Sequence, residues 1–166
     1  MRLFSLSIII FFFVGCTNQK EADRGNNMAE TPMDKQLITV SQHSMGQPLM
    51  ISEPTQAVIR SEDELNRLWE NTSSLGDKAE APEINFNTQM LLLSAMGEMP
   101  SSGYVTTIER FEESDDEIVV YVLNEQPGSN CMNMTVITTP HHLVQVPASP
   151  KPVRFETASQ TNECNE

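Results

Sequence analysis

The sequence predicts an α+β domain, predominantly antiparallel β-sheet, with about seven or eight strands and one main helix. Three observations lead there. The second half of the chain is a succession of short β-branched and aromatic runs separated by turn residues. A single stretch, opening at Ser61, carries apolar residues at helical spacing. Of the 166 residues, the 151 left once an N-terminal export signal of 15 is removed suit one folded domain of ordinary size, able to bury about two thirds of its unfolded surface.

Residues 1–15 read as an export signal. Met1-Arg2 is followed by an apolar run from Leu3 to Val14, interrupted only by Ser5 and Ser7, and Phe13-Val14-Gly15-Cys16 resembles the lipid-attachment box of a bacterial lipoprotein precursor. Twelve helical residues rise only about 18 Å, short of a hydrocarbon core about 30 Å thick, so the segment is too short to span a membrane. The expectation is cleavage before Cys16 and lipidation of its sulfur. By that resemblance the protein carries three acyl chains, more than the two signals that stable attachment needs. Residues 16–35 are polar, with Gly25, Asn26, Asn27 and Pro32 and no sustained apolar period. As a flexible tether they would hold the domain about 25 Å from the bilayer. Thr17, rather than Asp, follows the cysteine; by the common sorting rule the expected place is the outer membrane of a two-membrane cell.

The ordered domain is expected over 36–166. Leu37 to His43 reads as a strand, and Ala57-Val58-Ile59 as a second. Ser61 with Glu64 three residues on is a capping-box signature; Leu65, Leu68, Trp69 and Thr72 then share one face, which predicts a helix over 62–71 with Trp69 as its core anchor. Met90-Leu91-Leu92-Leu93 is a continuous apolar run, the mark of a strand covered on both faces. Tyr104 to Phe111 and Ile118 to Leu123 flank an acidic Glu112–Glu117 stretch and read as a hairpin. Met132 to Thr138 alternates like a strand, Leu143 to Val146 follows a Pro140 break, and Val153-Arg154-Phe155 closes the sheet.

Charge and cysteine content narrow the function. The formal charge is −13, and −14 once Arg2 leaves with the signal. Such a chain would repel nucleic acid, whose binding relies on phosphate neutralisation, and an anionic membrane surface. Attachment to the membrane therefore falls to the N-terminal lipid. With Cys16 lipidated, Cys131 and Cys164 remain as an even pair in an oxidising compartment, and a disulfide between them is expected.

Pro100-Ser101-Ser102-Gly103-Tyr104-Val105-Thr106-Thr107-Ile108, the hairpin containing Val119-Val120-Tyr121-Val122, Pro127-Gly128, and Thr138-Thr139-Pro140-His141-His142-Leu143-Val144-Gln145-Val146-Pro147 resemble the C-terminal domain of the protease complex subunit PrcB family. The order of elements matches, and with the Trp69 helix and Pro82-Glu83-Ile84-Asn85-Phe86 the resemblance extends over most of residues 56–156. The chain departs from that pattern at Ser102, where a second glycine is usual, and at His141, where tyrosine is usual. The resemblance implies a non-catalytic exported module, named for a lipoprotein partner that stabilises a surface protease, and it brings no catalytic residue.

Read from the residues alone, Gly103 supplies a turn conformation closed to residues with a Cβ, and Tyr104 then starts a strand. Two readings stand for Pro100, Ser101, Ser102, Gly103 and Tyr104. One is a turn and core plug; the other is a partner-binding loop anchored by Tyr104. No G-x-S-x-G elbow is present, and nothing in the sequence positions His43, His141 or His142 beside a nucleophile. The acidic stretch lacks the D-x-D-x-D-G spacing of a calcium loop. Met96, Met99, Met132 and Met134, with His141 and His142 nearby, are residue types that hold copper(I), although tandem histidines on a strand face opposite ways.

The sequence thus leads to a lipid-anchored exported binding module in the bacterial cell envelope, with no catalytic residues, cofactor or metal, whose partner is another exported protein such as a protease. Two alternatives remain: a protease inhibitor acting through the 100–104 loop, which resembles the loop of chagasin-like inhibitors, and a periplasmic copper-binding lipoprotein.

Overall fold

The computed structural model describes residues 37–42, 49–71 and 81–164. Cys16, the signal segment, the tether and His43 lie outside them. The elements in chain order are β1 (Ile38–Gln42), β2 (Thr55–Ile59), α1 (Glu62–Asn71), β3 (Gln89–Ala95), β4 (Val105–Glu113), β5 (Ile118–Pro127), β6 (His141–Pro147) and β7 (Val153–Asn162). They form two sheets, one of four strands in the order β1-β6-β3-β2 and one of three in the order β4-β5-β7.

β3 lies in the middle of the larger sheet, and its sequence explains the architecture. Met90 and Leu92 point into a cluster between the sheets, with Ile108, Phe111, Ile118, Val120, Val122, Val144 and Val146. Leu91 and Leu93 point the other way, into a cluster with Leu49, Ile51, Ile59, Leu65 and Leu143 that also receives Leu68, Trp69, Ile84 and Phe86. Strand alternation thus sends neighbouring leucines into two different cores. Both faces of the larger sheet are covered, as the unbroken apolar run in β3 requires.

α1 covers the outer face. The amide of Glu64 donates to Ser61 Oγ at 3.3 Å, and the Glu64 carboxylate accepts from the amide of Arg60 at 2.6 Å. The capping box therefore closes one residue further upstream than its usual form. Three acidic residues in the first turn suit the positive end of the helix dipole.

Two bulges decide which side chains meet. In β1 the register with β6 shifts between Thr39 and Ser41. Regular alternation would put these two hydroxyls on one face; the extra residue puts them on opposite faces, while Leu37 packs inward and Val40 outward. In β4 the register with β5 shifts between Ile108 and Arg110. Thr106, Ile108 and Phe111 stay buried across that shift, and Glu109 and Arg110 are both exposed.

Two expectations are corrected. Met132 to Thr138 is not a strand: its only ladder-like contact is an isolated bridge between Thr138 and Met99. Its alternation was that of an extended surface segment, since Met132, Met134, Val136 and Ile137 are all exposed. The last strand is longer than Val153–Phe155, running to Asn162, and it pairs with β5 in parallel through a continuous ten-residue register. Its far half, Thr157 to Asn162, is exposed on both faces, so no apolar alternation announced it.

Candidate functional site

The hairpin β4–β5 and the parallel strand β7 give the smaller sheet two chemically different ends. At the turn end, carboxylates pair with cations. Lys151 Nζ lies 2.9 Å from Glu113 and Arg154 lies 3.2 Å from Glu117 and also against Glu156. Arg110 lies 3.3 Å from Glu112, its guanidinium 3.6 Å over the Tyr121 ring. The hydrogen bonds that Arg154 donates to Glu117 and Glu156 hold it well above its ordinary pKa. Arg60 joins this end through the carbonyls of Ser149 and Lys151. Glu112, Glu113 and Glu117 of the acidic stretch therefore splay onto separate cations, and among the described residues no group of three or more His, Cys, Asp or Glu side chains converges as a metal site would require.

The opposite end is built from the predicted loop. Pro100 is exposed, Ser101, Ser102 and Tyr104 are half-buried, and Gly103 sits at φ +95°. The left-handed backbone read from the sequence is present, while Tyr104 belongs to neither apolar cluster. The loop is tied to the extended 132–138 segment. Ser102 N–H donates to the Met134 carbonyl at 3.0 Å and Ser102 Oγ accepts from Met134 N–H at 3.0 Å. Thr138 Oγ1 donates to the Ser101 carbonyl at 2.9 Å, and Met99 and Thr138 exchange backbone bonds at 2.8 and 3.0 Å. Ser102 thus supplies a hydroxyl to its neighbour that a glycine at this position would lack.

The end of β7 adjoins the same region. Gly128 N–H donates to the Asn162 carbonyl at 2.8 Å, Asn130 Nδ2 donates to the Cys164 carbonyl at 2.7 Å, and the Sγ atoms of Cys131 and Cys164 are 2.04 Å apart, 33 residues apart in sequence. Loop 99–105, segment 131–138 and the end of β7 form one tied surface unit. Beside it, a cleft of about 330 Å3 lies where the paired ends of β2 and β3 meet β5, lined by Gln56, Ala95, Met96, Met99 and Asn124, among others. The Asn124 Oδ1 is buried without a hydrogen-bond partner.

The two histidines of β6 point to opposite faces of the larger sheet. His141 is fully buried; its Nδ1 faces the Thr139 carbonyl at 3.1 Å, which can only accept, so Nε2 accepts from Ser41 Oγ at 2.9 Å. His142 turns to the other face: Nδ1 accepts the amide of Ile108 at 2.9 Å, leaving Nε2–H to donate to Thr39 Oγ1 at 3.0 Å. Both rings are engaged through both nitrogens. Burial, and then the neighbouring His141, push the His142 pKa below its ordinary value, which suits the neutral ring this bonding needs. Met132, wholly exposed, and the two imidazoles do not share a face with a common ligand position. Sequence reasoning missed the hydroxyl partners Thr39 and Ser41; a bulge leaves no mark in a polar five-residue strand.

The fold and this end of it define a class: a β-rich two-sheet domain with a tied loop surface at one end of its smaller sheet. Residues 90–147 match the family model described as PrcB C-terminal. The chain is similar to that family from the second residue of β3 through the last residue of β6, in agreement with the resemblance read from the sequence. β1, β2, α1 and β7 lie outside the matched segment. No curated protein and no solved structure matches the chain.

Proposed function

We propose that the protein is a lipid-anchored, exported, non-catalytic accessory module that binds and stabilises another exported protein, a protease being the first candidate. The observation that carries this reading is the match of residues 90–147 to the PrcB C-terminal family. Two features support it. The imidazoles of His141 and His142, the histidines among the described residues, are committed to inter-strand hydrogen bonds, whereas a free imidazole is a frequent catalytic base. The loop Pro100 to Tyr104 and the segment it holds are the most elaborately tied irregular structure among the described residues, and irregular segments fixed on a rigid sheet commonly carry recognition. The anchor is lipidated Cys16, in the cell envelope and most simply at the outer membrane.

The test is co-purification of the full-length protein from its own membranes after brief crosslinking, together with metabolic labelling by an alkyne fatty acid. A stoichiometric partner, with label lost on Cys16→Ser, is the expected result. Recovery of the protein alone would overturn the accessory reading, and unlabelled wild-type protein would overturn the anchor.

A further inference from the structure

The two ends of the β4-β5-β7 sheet differ in charge as well as in shape. Of the described Lys and Arg residues, only Arg67, on α1, is not tied to the β4–β5 turn end. At the other end the chain is without charge over Met99 to Ile108, over Thr157 to Asn162, and over the first part of Gln126 to Pro150, an uncharged run that then passes through β6 toward the turn. In a chain of net charge −13 a run of 25 such residues is a marked depletion. The same end exposes large apolar side chains, Met132 wholly, Ile137 at 66%, Met134 at 54% and Val136 at 40%. Charge depletion with exposed methionine is the composition of an interface centre, and methionine is the most adaptable apolar side chain for packing against a partner. Its backbone is held by Ser102, Thr138 and the Cys131–Cys164 tie, so ordering it on binding costs little entropy.

The nearby charges are acidic. Glu98, whose amide bonds the Ser52 carbonyl, Glu125, whose carboxylate accepts from Gln160 and Asn162, and Glu163, against Gly128, border this end. Lys151 and Arg154 at the turn lie the length of a nine-residue strand away, about 30 Å, several Debye lengths at physiological salt, and Arg110, five residues along β4, is about 17 Å away and paired with Glu112. We infer that the 132–137 segment is the docking surface, and that its occupant is an exported protein presenting an apolar patch bordered by Lys and Arg. This rests on the accessory-module reading and replaces the 100–104 loop as the contact: the loop is the buttress, and the methionine segment is what touches.

The experiment uses the full-length protein in its own membranes, with a photo-crosslinking residue at Met134 or, as a control, at Arg110, and with the triple variant Met132→Ser, Met134→Ser, Ile137→Ser. These side chains are exposed, so the variant keeps the wild-type unfolding midpoint. The expected results are an adduct from position 134 and not 110, mapping to an apolar partner peptide flanked by basic residues. Capture by the triple variant falls at least tenfold, and 0.5 M salt weakens capture about threefold, since rim charges mostly set the association rate. A partner retained at wild-type level by the triple variant overturns the docking surface while leaving the accessory role standing. Absence of any partner on the wild type overturns both. Adducts only to lipid, or only to a second copy of this chain, overturn the assigned occupant.

Discussion

His142 Nδ1 accepts the backbone N–H of Ile108 at 2.9 Å, joining β6 of the larger sheet to β4, an edge strand of the smaller one. The bond falls where the β4–β5 ladder changes register, and on its far side the ring reaches Thr39 at the second register shift, in β1. One imidazole therefore couples three strands at two irregular points. Ser94 Oγ and Thr106 Oγ1, 3.1 Å apart and buried, add a side-chain bond between β3 and β4. The inter-sheet core is consequently polar toward this end and apolar toward the turn.

That coupling makes stability depend on pH. The folded-state pKa of His142 is lowered, chiefly by burial. Below the ordinary value of 6.5 the unfolded chain takes up a proton that the folded chain refuses, so stability present above that pH is lost as pH falls toward the folded pKa. Urea midpoints measured from pH 7.5 to 5 should fall for the wild type and fall less steeply for His142→Gln. Identical slopes would remove His142 from the account. At pH 7.5, His142→Ala leaves the Ile108 amide unpaired and should cost about 1–3 kcal/mol.

Leu91 and Leu92 are consecutive and both wholly buried. In a strand with one wet face, one of the two would tolerate truncation. Here Leu91→Ala opens a cavity under α1 and Leu92→Ala opens one between the sheets, and each should cost about 2–5 kcal/mol in a denaturant titration. A loss below 1 kcal/mol at Leu91 would mean that α1 does not seal the outer face.

Much of this was legible in the sequence because it rested on local chemistry. The capping box at Ser61, the leucine run of β3 and the hairpin around 112–117 each state their structure within a few residues. Gly103 announced its left-handed backbone for the same reason. The parallel pairing of β7 did not show, because Thr157 to Asn162 is polar on both faces and its register is set by β5 far away in sequence. Segment 132–137 misled: an extended chain exposing apolar residues has the alternation of a buried strand, and only the absence of a partner strand separates them. The opposed faces of His141 and His142 were foreseeable from strand geometry, whereas their hydroxyl partners depended on a bulge that a single sequence does not display.

The Cys131–Cys164 tie closes a loop of 33 residues. In the chain-entropy model this constrains the unfolded state by about 3.7 kcal/mol, an upper bound on what reduction removes. The far half of β7 packs on no core, so much of the loss should appear as local fraying rather than as global unfolding. Hydrogen exchange after reduction should accelerate at 158–162 by more than tenfold while the amides of Val120 and Val122 stay protected. Unchanged exchange at 158–162 would assign the ordering of that half to the β5 ladder alone.

Gly97 and Gly103 both have positive φ, +79° and +95°, yet alanine should be far costlier at Gly97. The backbone strain is common to both, about 1–2 kcal/mol for a residue with a Cβ. What differs is the surrounding space. At Gly103 the nearest atom to an added Cβ is Asn133 Oδ1 at 2.6 Å, the end of a side chain that can shift at the expense of a 3.3 Å bond from its Nδ2 to the Cys131 carbonyl, and the Pro127 ring is next at 3.1 Å. At Gly97 the Cβ would lie 2.8 Å from Pro54 Cδ and N and 2.9 Å from the Ser52 carbonyl oxygen, which is backbone on two sides. Relief there requires moving the 52–54 segment, held by the bond from Glu98 N–H to the same Ser52 carbonyl at 3.0 Å. Overpacking of this kind adds about 1–3 kcal/mol to the strain. Gly97→Ala should therefore lower stability by about 2–5 kcal/mol, and Gly103→Ala by about 1–2 kcal/mol with the 100–104 loop displaced. Equal losses at the two positions would show that the contact with Ser52 and Pro54 yields as easily as a side-chain end.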